Sequence, residues 1–486
     1  TNYLLNEELY NVEIKNNEEV KMNIKNVHKK GNLNIVKVDK DNNNIPLENV
    51  KFEIEDKDGT KYIKRTDKNG ILEINNIKIG EIKIKEIETN YNYNLLKEII
   101  KTKIEYNKTT KIVLENEFKK GRIEVYKTDE EDSKIKIEGV EFEVLDSKNK
   151  VVDKILTNRS GHAISKELPI GTYYLKEVRT NNKYLLNNEL IEVEVQNNIT
   201  HTCNIKNKRK KGKIQIIKTS NGDSEILKIK KGMPIENIEF EIYNDNNELV
   251  DTIITNANGE ATSKLLEIGR YKIKEKNTNK NYLLNNLDYF ARIENNNEIK
   301  RVYIENQPAV PKINIEKTGP EEAYKNEEIK YEFSIKNSGN VAIEELTWIE
   351  YIPFQKEKIT KMITGTYNQT QNYKIFYKTN MRDYELVKEA NTNKSEYLDF
   401  TTINLKKNEI IEEIKIEYGK AEIGFETIVA PTIITKVNSN LKEKEVIVNK
   451  TSILGKYNNY DVKNNSIWNT VVKEKIVNKK LPRTGK

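Results

Sequence analysis

The sequence predicts an all-β protein: small β-sandwiches in tandem, then one larger β-sandwich and an extended C-terminal tail. Short segments such as GRIEVYKTD (121–129) alternate apolar and polar residues with a period of two. Turns rich in Asn, Asp and Gly separate these segments, and no stretch has the periodicity of a long helix. The pattern also repeats, because equivalent lysines at 37, 127 and 218 are 90 and 91 residues apart.

Each repeat contains the same blocks in the same order. In the second repeat these are the first strand GRIEVYKTDE (121–130), IEGVEFEVLD (137–146), the turn TNRSG (157–161), GTYYLKE (171–177), YLLN (184–187) and TCNIKN (202–207). The predicted repeats span 31–118, 119–209 and 210–308, each long enough for a modest core of its own. Residues 1–30 match the closing third of such a unit, so we expect them to be the C-terminal part of a truncated repeat.

Composition excludes several classes of function. The net charge is +7, but basic and acidic residues are interleaved along the strands, which is typical of a solvated sheet face rather than a nucleic-acid surface. The single cysteine, Cys203, rules out an internal disulfide and is interpreted as a small buried apolar residue. The three histidines have no metal-ligand spacing, and no cofactor motif, signal peptide or membrane-spanning apolar run is present.

Each repeat has three predicted strands in which one face is apolar except for a single polar residue at its end. In the first strand of the second repeat, Ile123 and Val125 share a face with Lys127. The same alternation assigns Glu to the G-x-Y strand and Asn to the closing strand. The three sets are Lys37, Glu86 and Asn116; Lys127, Glu177 and Asn207; and Lys218, Glu275 and Asn306.

This set of side chains suits one reaction. A lysine among apolar side chains loses proton affinity, whereas a buried carboxyl gains it. A neutral amine can then attack an asparagine carbonyl carbon while the glutamic acid shuttles a proton, and ammonia leaves. The product is an intramolecular Lys–Asn isopeptide bond, formed once per domain. The alternative is that these are ordinary polar residues at strand ends, which reach solvent; agreement of three repeats favours the reaction, although duplicated copies are not independent.

The blocks resemble the SpaA-like, or Cna B-type, prealbumin-fold domains of Gram-positive surface proteins and pilins. The resemblance covers residues 31–307 and rests on the strand-one Lys, the L-x-x-V-x-F-x-I-type block, the T-D/N-x-x-G turn, the G-x-Y-x-x-x-E strand and the closing Asn. It implies that Lys37, Lys127 and Lys218 are cross-linked to Asn116, Asn207 and Asn306, with Glu86, Glu177 and Glu275 as proton shuttles. The first repeat departs slightly, with Ile82 where the others have Tyr173 and Tyr271.

Residues 312–475 are predicted to form the larger sandwich. KINIEKTGP (312–320) repeats the strand-one face with Lys317, but the following stretch has no counterpart in the earlier repeats. It resembles the DUF11-like β-sandwich repeats of bacterial surface proteins, with Glu350 where that pattern has Asp. A fourth isopeptide bond using Lys317, Glu350 and Asn449 is left open.

The tail, residues 476–486, contains a sequence that resembles the L-P-x-T-G sorting motif of sortase substrates: Leu481, Pro482, Arg483, Thr484 and Gly485. Pro482 favours the extended backbone that a peptide needs to enter a cleft. The resemblance implies cleavage between Thr484 and Gly485 and covalent transfer to cell-wall peptidoglycan, with sortase and peptidoglycan as partners and the cell surface as location.

The sequence therefore predicts a cell-wall-anchored structural surface protein, an adhesin stalk or pilus-associated protein, with no enzymatic activity beyond single-turnover cross-linking. A shaft pilin is less favoured, because VYKTD (125–129) lacks the proline of the usual pilin lysine motif. A second interpretation is the non-catalytic stalk of a surface enzyme whose catalytic module lies upstream, and polyanion binding is a third. No adhesion ligand can be named; the insertion SNGDSEILKIKKGM (220–233) could be a binding surface, but tolerated length variation is favoured.

Overall fold

The computed structural model describes residues 1–474, and the predicted all-β class is confirmed, with one short 3₁₀ helix as the helical element among these residues. The chain divides into two compact units, Thr1–Lys210 and Lys211–Lys486.

The first unit contains two sandwiches of the same design. The first has sheets of order β4-β1-β7 and β3-β2-β5-β6, built from β1 (Lys30–Asp39), β2 (Lys51–Glu55), β3 (Lys61–Arg65), β4 (Ile71–Lys78), β5 (Gly80–Glu88), β6 (Ile100–Ile104) and β7 (Thr109–Asn116). The second has β8 between β15 and the short strands β11 and β12, facing β10-β9-β13-β14. Its strands are β8 (Lys120–Asp129), β9 (Glu141–Asp146), β10 (Val151–Leu156), β11 (His162–Ile164), β12 (Leu168–Pro169), β13 (Gly171–Arg179), β14 (Leu190–Val195) and β15 (Thr200–Asn207).

The second unit opens with a third sandwich of this design, in which β16 lies between β23 and the short strands β19 and β20, facing β18-β17-β21-β22. Its strands are β16 (Lys211–Ser220), β17 (Glu239–Tyr243), β18 (Leu249–Ile254), β19 (Glu260–Thr262), β20 (Leu266–Glu267), β21 (Gly269–Glu275), β22 (Tyr289–Ile293) and β23 (Ile299–Asn306).

The larger sandwich follows in the same unit. A five-stranded sheet, β24-β26-β35-β28-β32, faces a seven-stranded sheet, β25-β37-β36-β27-β33-β30-β31, and β29 and β34 form a separate ribbon. The elements are β24 (Ile313–Thr318), β25 (Glu322–Tyr324), β26 (Glu328–Asn337), β27 (Ile343–Tyr351), β28 (Glu357–Ile363), β29 (Thr366–Tyr367), β30 (Asn372–Thr379), β31 (Glu385–Asn391), β32 (Tyr397–Asp399), the 3₁₀ helix Phe400–Thr402, β33 (Ile411–Ala421), β34 (Thr427–Val429), β35 (Thr432–Val437), β36 (Val446–Tyr457) and β37 (Tyr460–Lys473).

The first and last strands of each small sandwich are parallel neighbours. Lys37 on β1 is in register with Leu114 on β7, Lys127 on β8 with Ile205 on β15, and Lys218 on β16 with Ile304 on β23. Most of the core residues in these strands occupy the alternate positions that the sequence pattern indicated. The first and last strands of each domain are therefore hydrogen-bonded neighbours. A covalent link between these two strands would enclose nearly all residues of the domain in one loop.

The third sandwich and the larger one contact each other directly. The side chains of Ile226 and Tyr457 pack against the cores of both, and Tyr457 donates a hydrogen bond to the backbone carbonyl of Lys280 at 2.6 Å. The insertion at 220–233 supplies Ile226 and also buries Leu227 and Ile229. Part of this insertion therefore has a structural role between two domains.

Residues 1–29 form no strand and are largely exposed. Their one regular contact is an antiparallel bridge between Tyr3 and His28. Corresponding bridges occur at the equivalent place in the complete repeats, between Tyr93 and Phe118, Tyr184 and Arg209, and Tyr282 and Pro308.

A tyrosine recurs at this position in every repeat. In the second domain its hydroxyl group belongs to a buried hydrogen-bond network. The Tyr184 hydroxyl donates to Asp129 Oδ2 at 2.9 Å, and the Arg209 guanidinium donates to the same oxygen. Burial opposes ionisation of Asp129, but these hydrogen bonds and those from the Asp132 and Glu131 amides hold its pKa at about 2. The third domain has Ser220 at the position of Asp129.

The substitution Asp129→Ser introduces the residue that the third domain has at this position. We predict that it destabilises the second domain at neutral pH but not at strongly acidic pH. Because the folded pKa of Asp129 is about 2 and the ordinary value is 3.8, its contribution is complete above about pH 4 and is lost as the pH falls through 2. The expected cost at neutral pH is about 1 to 2 kcal/mol, since Arg209 is partly exposed and solvent screens the pair. Scanning calorimetry of the full chain at pH 7 and pH 2 measures it; an equal loss at both values contradicts the assignment.

Candidate functional site: a buried Lys–Glu–Asn cluster in each repeat

The three predicted lysines lie in the cores of their domains. Lys37, Lys127 and Lys218 are each 0% exposed, because alternation along the first strand places them on the face that packs against the opposite sheet. Each amine lies over a phenylalanine ring of that sheet, with Nζ 5.8 Å from the ring centre of Phe52 in the first domain. Phe142 and Phe240 occupy the same place in the other two domains, at 5.6 and 5.7 Å.

The predicted asparagines meet these lysines from the adjacent parallel strand. Lys37 Nζ donates to Asn116 Oδ1 at 2.6 Å, and Lys127 Nζ donates to Asn207 Oδ1 at 2.7 Å. Lys218 Nζ donates to Asn306 Oδ1 in the third domain. The asparagines are 1–2% exposed, so each amine contacts the amide group it would attack inside the core, away from the protein surface.

The predicted glutamates reach the same point from the other sheet. In the first domain, Asn116 Nδ2 donates to Glu86 Oε1 at 2.6 Å, while Glu86 Oε2 lies 2.9 Å from Lys37 Nζ. The corresponding distances are 2.6 and 2.8 Å at Glu177, and 2.6 and 2.9 Å at Glu275. One carboxyl group therefore bridges the lysine nitrogen and the asparagine nitrogen in every repeat.

Burial alters the acidity of the three amines. Desolvation lowers the pKa of Lys37, Lys127 and Lys218 below the ordinary value, and the adjacent glutamate only partly opposes this. Removing an amine and a carboxylate from water costs several kcal/mol per ion. A proton transfer from the lysine to the glutamate neutralises both groups and yields a nucleophilic amine.

The turn glycines fix the backbone of the three buried lysines. Gly161 has φ +69°, and an added Cβ would lie 2.4 Å from the carbonyl oxygen of Lys127. Its own carbonyl accepts from the Lys127 amide at 2.7 Å. Gly70 and Gly259 make the same contacts with Lys37 and Lys218, which explains the glycine in the T-D/N-x-x-G turn.

Sequence reasoning missed one residue of each cluster. Thr89, Thr180 and Thr278 accept a second hydrogen bond from the asparagine Nδ2, at 2.7, 2.9 and 3.1 Å. Each threonine follows its glutamate by three positions, so an E-x-x-T pattern was the available signal. The amide nitrogen is thus held by two acceptors, which orient the carbonyl toward the lysine.

This arrangement supports amide transfer. After the first proton moves from the lysine to the glutamate, the neutral Nζ can attack the asparagine Cγ. The glutamic acid then gives its proton to Nδ2 and recovers one from Nζ, while the Cγ–Nδ2 bond breaks and ammonia leaves. Atoms and charge balance, because one amine and one amide become one secondary amide and ammonia.

Other candidate groups are not assembled into a site within residues 1–474. This range contains no cluster of three potential metal ligands, and none of its helices is long and apolar enough to cross a membrane. Cys203 is buried, and burial raises the pKa of its thiol. The motif residues Leu481, Pro482, Arg483, Thr484 and Gly485 lie outside the described residues.

Comparisons with known proteins agree with the fold of the repeats. A streptococcal protein described as trypsin-resistant surface T6 protein, from Streptococcus pyogenes serotype M6, is 39% identical over 61 residues, which is 13% of this chain and 11% of that protein. The structure of the Bacillus anthracis TIE protein matches with a TM-score of 0.51 and 29% identity, over 58% of this chain and 51% of that one. The chain thus spans about a tenth of the first relative and about half of the second.

The major pilin subunit of Bacillus cereus, BcpA, matches with a TM-score of 0.29 and 16% identity, over 57% of this chain and 99% of that one. More specific is the profile of the SpaA prealbumin-like fold domain, which matches residues 31–118, 121–209 and 212–308. These matches cover more than half of the sequence and contain every Lys–Glu–Asn cluster described above. The chain belongs to the family of proteins with SpaA prealbumin-like fold domains.

Proposed function

We propose that this chain is a structural stalk of a Gram-positive cell surface, in which each SpaA domain is closed by a Lys–Asn isopeptide bond. The observation that carries the proposal is the geometry of the three clusters. In each, a fully buried amine with a lowered pKa contacts a buried amide, and one carboxyl bridges both nitrogens. Three separate ion pairs of this kind would be costly in a purely structural role.

The bonds would have a mechanical effect. Each joins residues that are 79, 80 or 88 positions apart in the sequence. Closing a loop of this size lowers the entropy of the unfolded chain. On the loop-entropy model this raises the free energy of unfolding by roughly 4–5 kcal/mol. Tension that enters along the first strand and leaves along the last would pass through the bond, so the core between them would carry no load.

Residues 1–30 fit the closing part of a further SpaA repeat. The Tyr3–His28 bridge corresponds to the bridges that end the three complete repeats. Asn26 precedes Lys37 by 11 positions, the same interval as Asn116 to Lys127 and Asn207 to Lys218. Asn26 would accordingly be the acceptor asparagine of that repeat.

The tail would supply the attachment to the wall. Sortase would cleave between Thr484 and Gly485 and join Thr484 to peptidoglycan, which places the stalk covalently on the cell surface. The support is the position of Leu481 to Gly485 after four β-domains, together with membership of the SpaA family.

The mass of the intact protein tests the cross-links. Each bond releases one ammonia, so the three SpaA domains should together lower the mass by about 51 Da. Glu177→Gln should abolish only the bond of the second SpaA domain. After allowance for the mass change of the substitution itself, the variant should be about 17 Da heavier than the parent protein. The matched control is Glu192→Gln, on the exposed face of β14, which should retain every bond. Linear peptides containing unmodified Lys37, Lys127 and Lys218 would overturn the proposal.

The wall attachment is tested by incubating the purified chain with sortase and a short oligoglycine nucleophile. We expect loss of Gly485 and Lys486 and an adduct at Thr484. Thr484→Ala should block the reaction, whereas Lys479→Ala, outside the motif, should not. Failure of the parent chain to react under conditions that process a standard L-P-x-T-G peptide would contradict this role.

A further inference from the structure

The larger sandwich contains a fourth buried lysine that the SpaA family match does not cover. Lys317 lies on β24, and its side chain is 0% exposed. It follows Asn306 by 11 positions, the interval that also separates Asn116 from Lys127 and Asn207 from Lys218. Its amine lies over two aromatic rings, 4.3 Å from the ring centre of Tyr331 and 5.1 Å from that of Phe333.

Lys317 contacts an asparagine in a different layout from that of the repeats. Its Nζ donates to Asn449 Oδ1 and to Glu350 Oε1. Asn449 lies on β36 of the seven-stranded sheet, whereas Lys317 belongs to the five-stranded sheet. The contact therefore crosses the core between two sheets instead of joining neighbouring strands of one sheet.

Two carboxyl groups divide the contacts that one carboxyl makes in each SpaA domain. Glu350 contacts the lysine, and Asn449 Nδ2 donates to Glu357 Oε1 at 2.6 Å. Glu357 Oε2 accepts from Thr435 at 2.8 Å and from the Tyr331 hydroxyl at 3.1 Å. The sequence alone indicated Glu350, but it is Glu357 that holds the amide nitrogen.

The electrostatics of the cluster favour its neutral form. Burial lowers the pKa of Lys317, raises that of Glu350 to about 7 and raises that of Glu357. All four polar side chains lie at 0–3% exposure. A buried ionic cluster is weak evidence for a stabilising role, but a neutral amine beside an amide and two carboxylic acids is reactive.

We propose that Lys317 and Asn449 form a fourth isopeptide bond, with Glu357 as the proton shuttle and Glu350 as the group that deprotonates the lysine. Glu350 takes the first proton from the Lys317 ammonium. The Nζ then attacks the Asn449 Cγ, Glu357 gives its proton to Nδ2 and recovers one from Nζ, and the Cγ–Nδ2 bond breaks with loss of ammonia. The loop so closed spans 132 positions.

The test is peptide mapping of the intact chain. We expect a branched peptide that joins the segments around Lys317 and Asn449, about 17 Da lighter than its two parts, and a total deficit of about 68 Da if the three SpaA bonds also form. Linear peptides with free Lys317 and Asn449 would overturn this inference. Branched peptides at Lys37, Lys127 and Lys218 in the same digest would show that the proposed function survives that failure.

Variants separate the two glutamates. Glu357→Gln should lack the Lys317–Asn449 peptide at every pH and keep the SpaA cross-links. Glu350→Gln should have a lower fraction of cross-linked protein at neutral pH. This fraction should recover at higher pH, because solvent then removes the lysine proton. Glu357 and Tyr331 are the other titratable groups facing Lys317. The reverse pattern would overturn the role assignment.

Two further variants serve as references. Lys317→Met, which fits the aromatic surroundings, should lose only this bond. Glu344→Gln, on the exposed part of the same strand β27 as Glu350, should lose none.

Discussion

The structure of every SpaA domain depends on one contact: a lysine amine held in the core against an amide and a carboxyl. An amine placed there is costly unless it is paired or neutral. Its partners come from both sheets, since the asparagine lies on the adjacent strand and the glutamate on the opposite layer. The cluster is therefore complete only when the sandwich has closed, and the reaction that it supports follows folding.

The four clusters would support the same proposed chemistry through two layouts. In the SpaA domains a single glutamate touches both nitrogens, because the lysine and asparagine lie on neighbouring parallel strands. In the larger sandwich the partners lie on opposite sheets, and each of two glutamates contacts one of the two nitrogens. Both layouts place carboxyl groups that can accept and donate protons beside an amine and an amide. The number of these carboxyl groups differs between the two folds.

Alternation along strands was sufficient to predict the fold class, and it identified the lysines, glutamates and asparagines that the structure brings together. It could not find Thr89, Thr180 and Thr278, because they lie beyond the C-terminal ends of the strands that carry the glutamates, where a period of two no longer applies. Glu357 was missed for another reason. It begins a strand of the sheet opposite Asn449, so its position at the amide depends on how the two sheets pack rather than on any local pattern.

The interval of 11 positions between each asparagine and the next lysine determines how the chain would respond to a cut. Once the proposed bonds form, hydrolysis of a peptide bond between Lys127 and Asn207 leaves both fragments covalently joined. Between the first and last cross-links, a single cut separates the protein only within 117–126, 208–217 and 307–316. Much of each stretch is paired in the sheet that contains the next lysine. The most exposed loops are therefore the places where cleavage by secreted proteases would do the least harm.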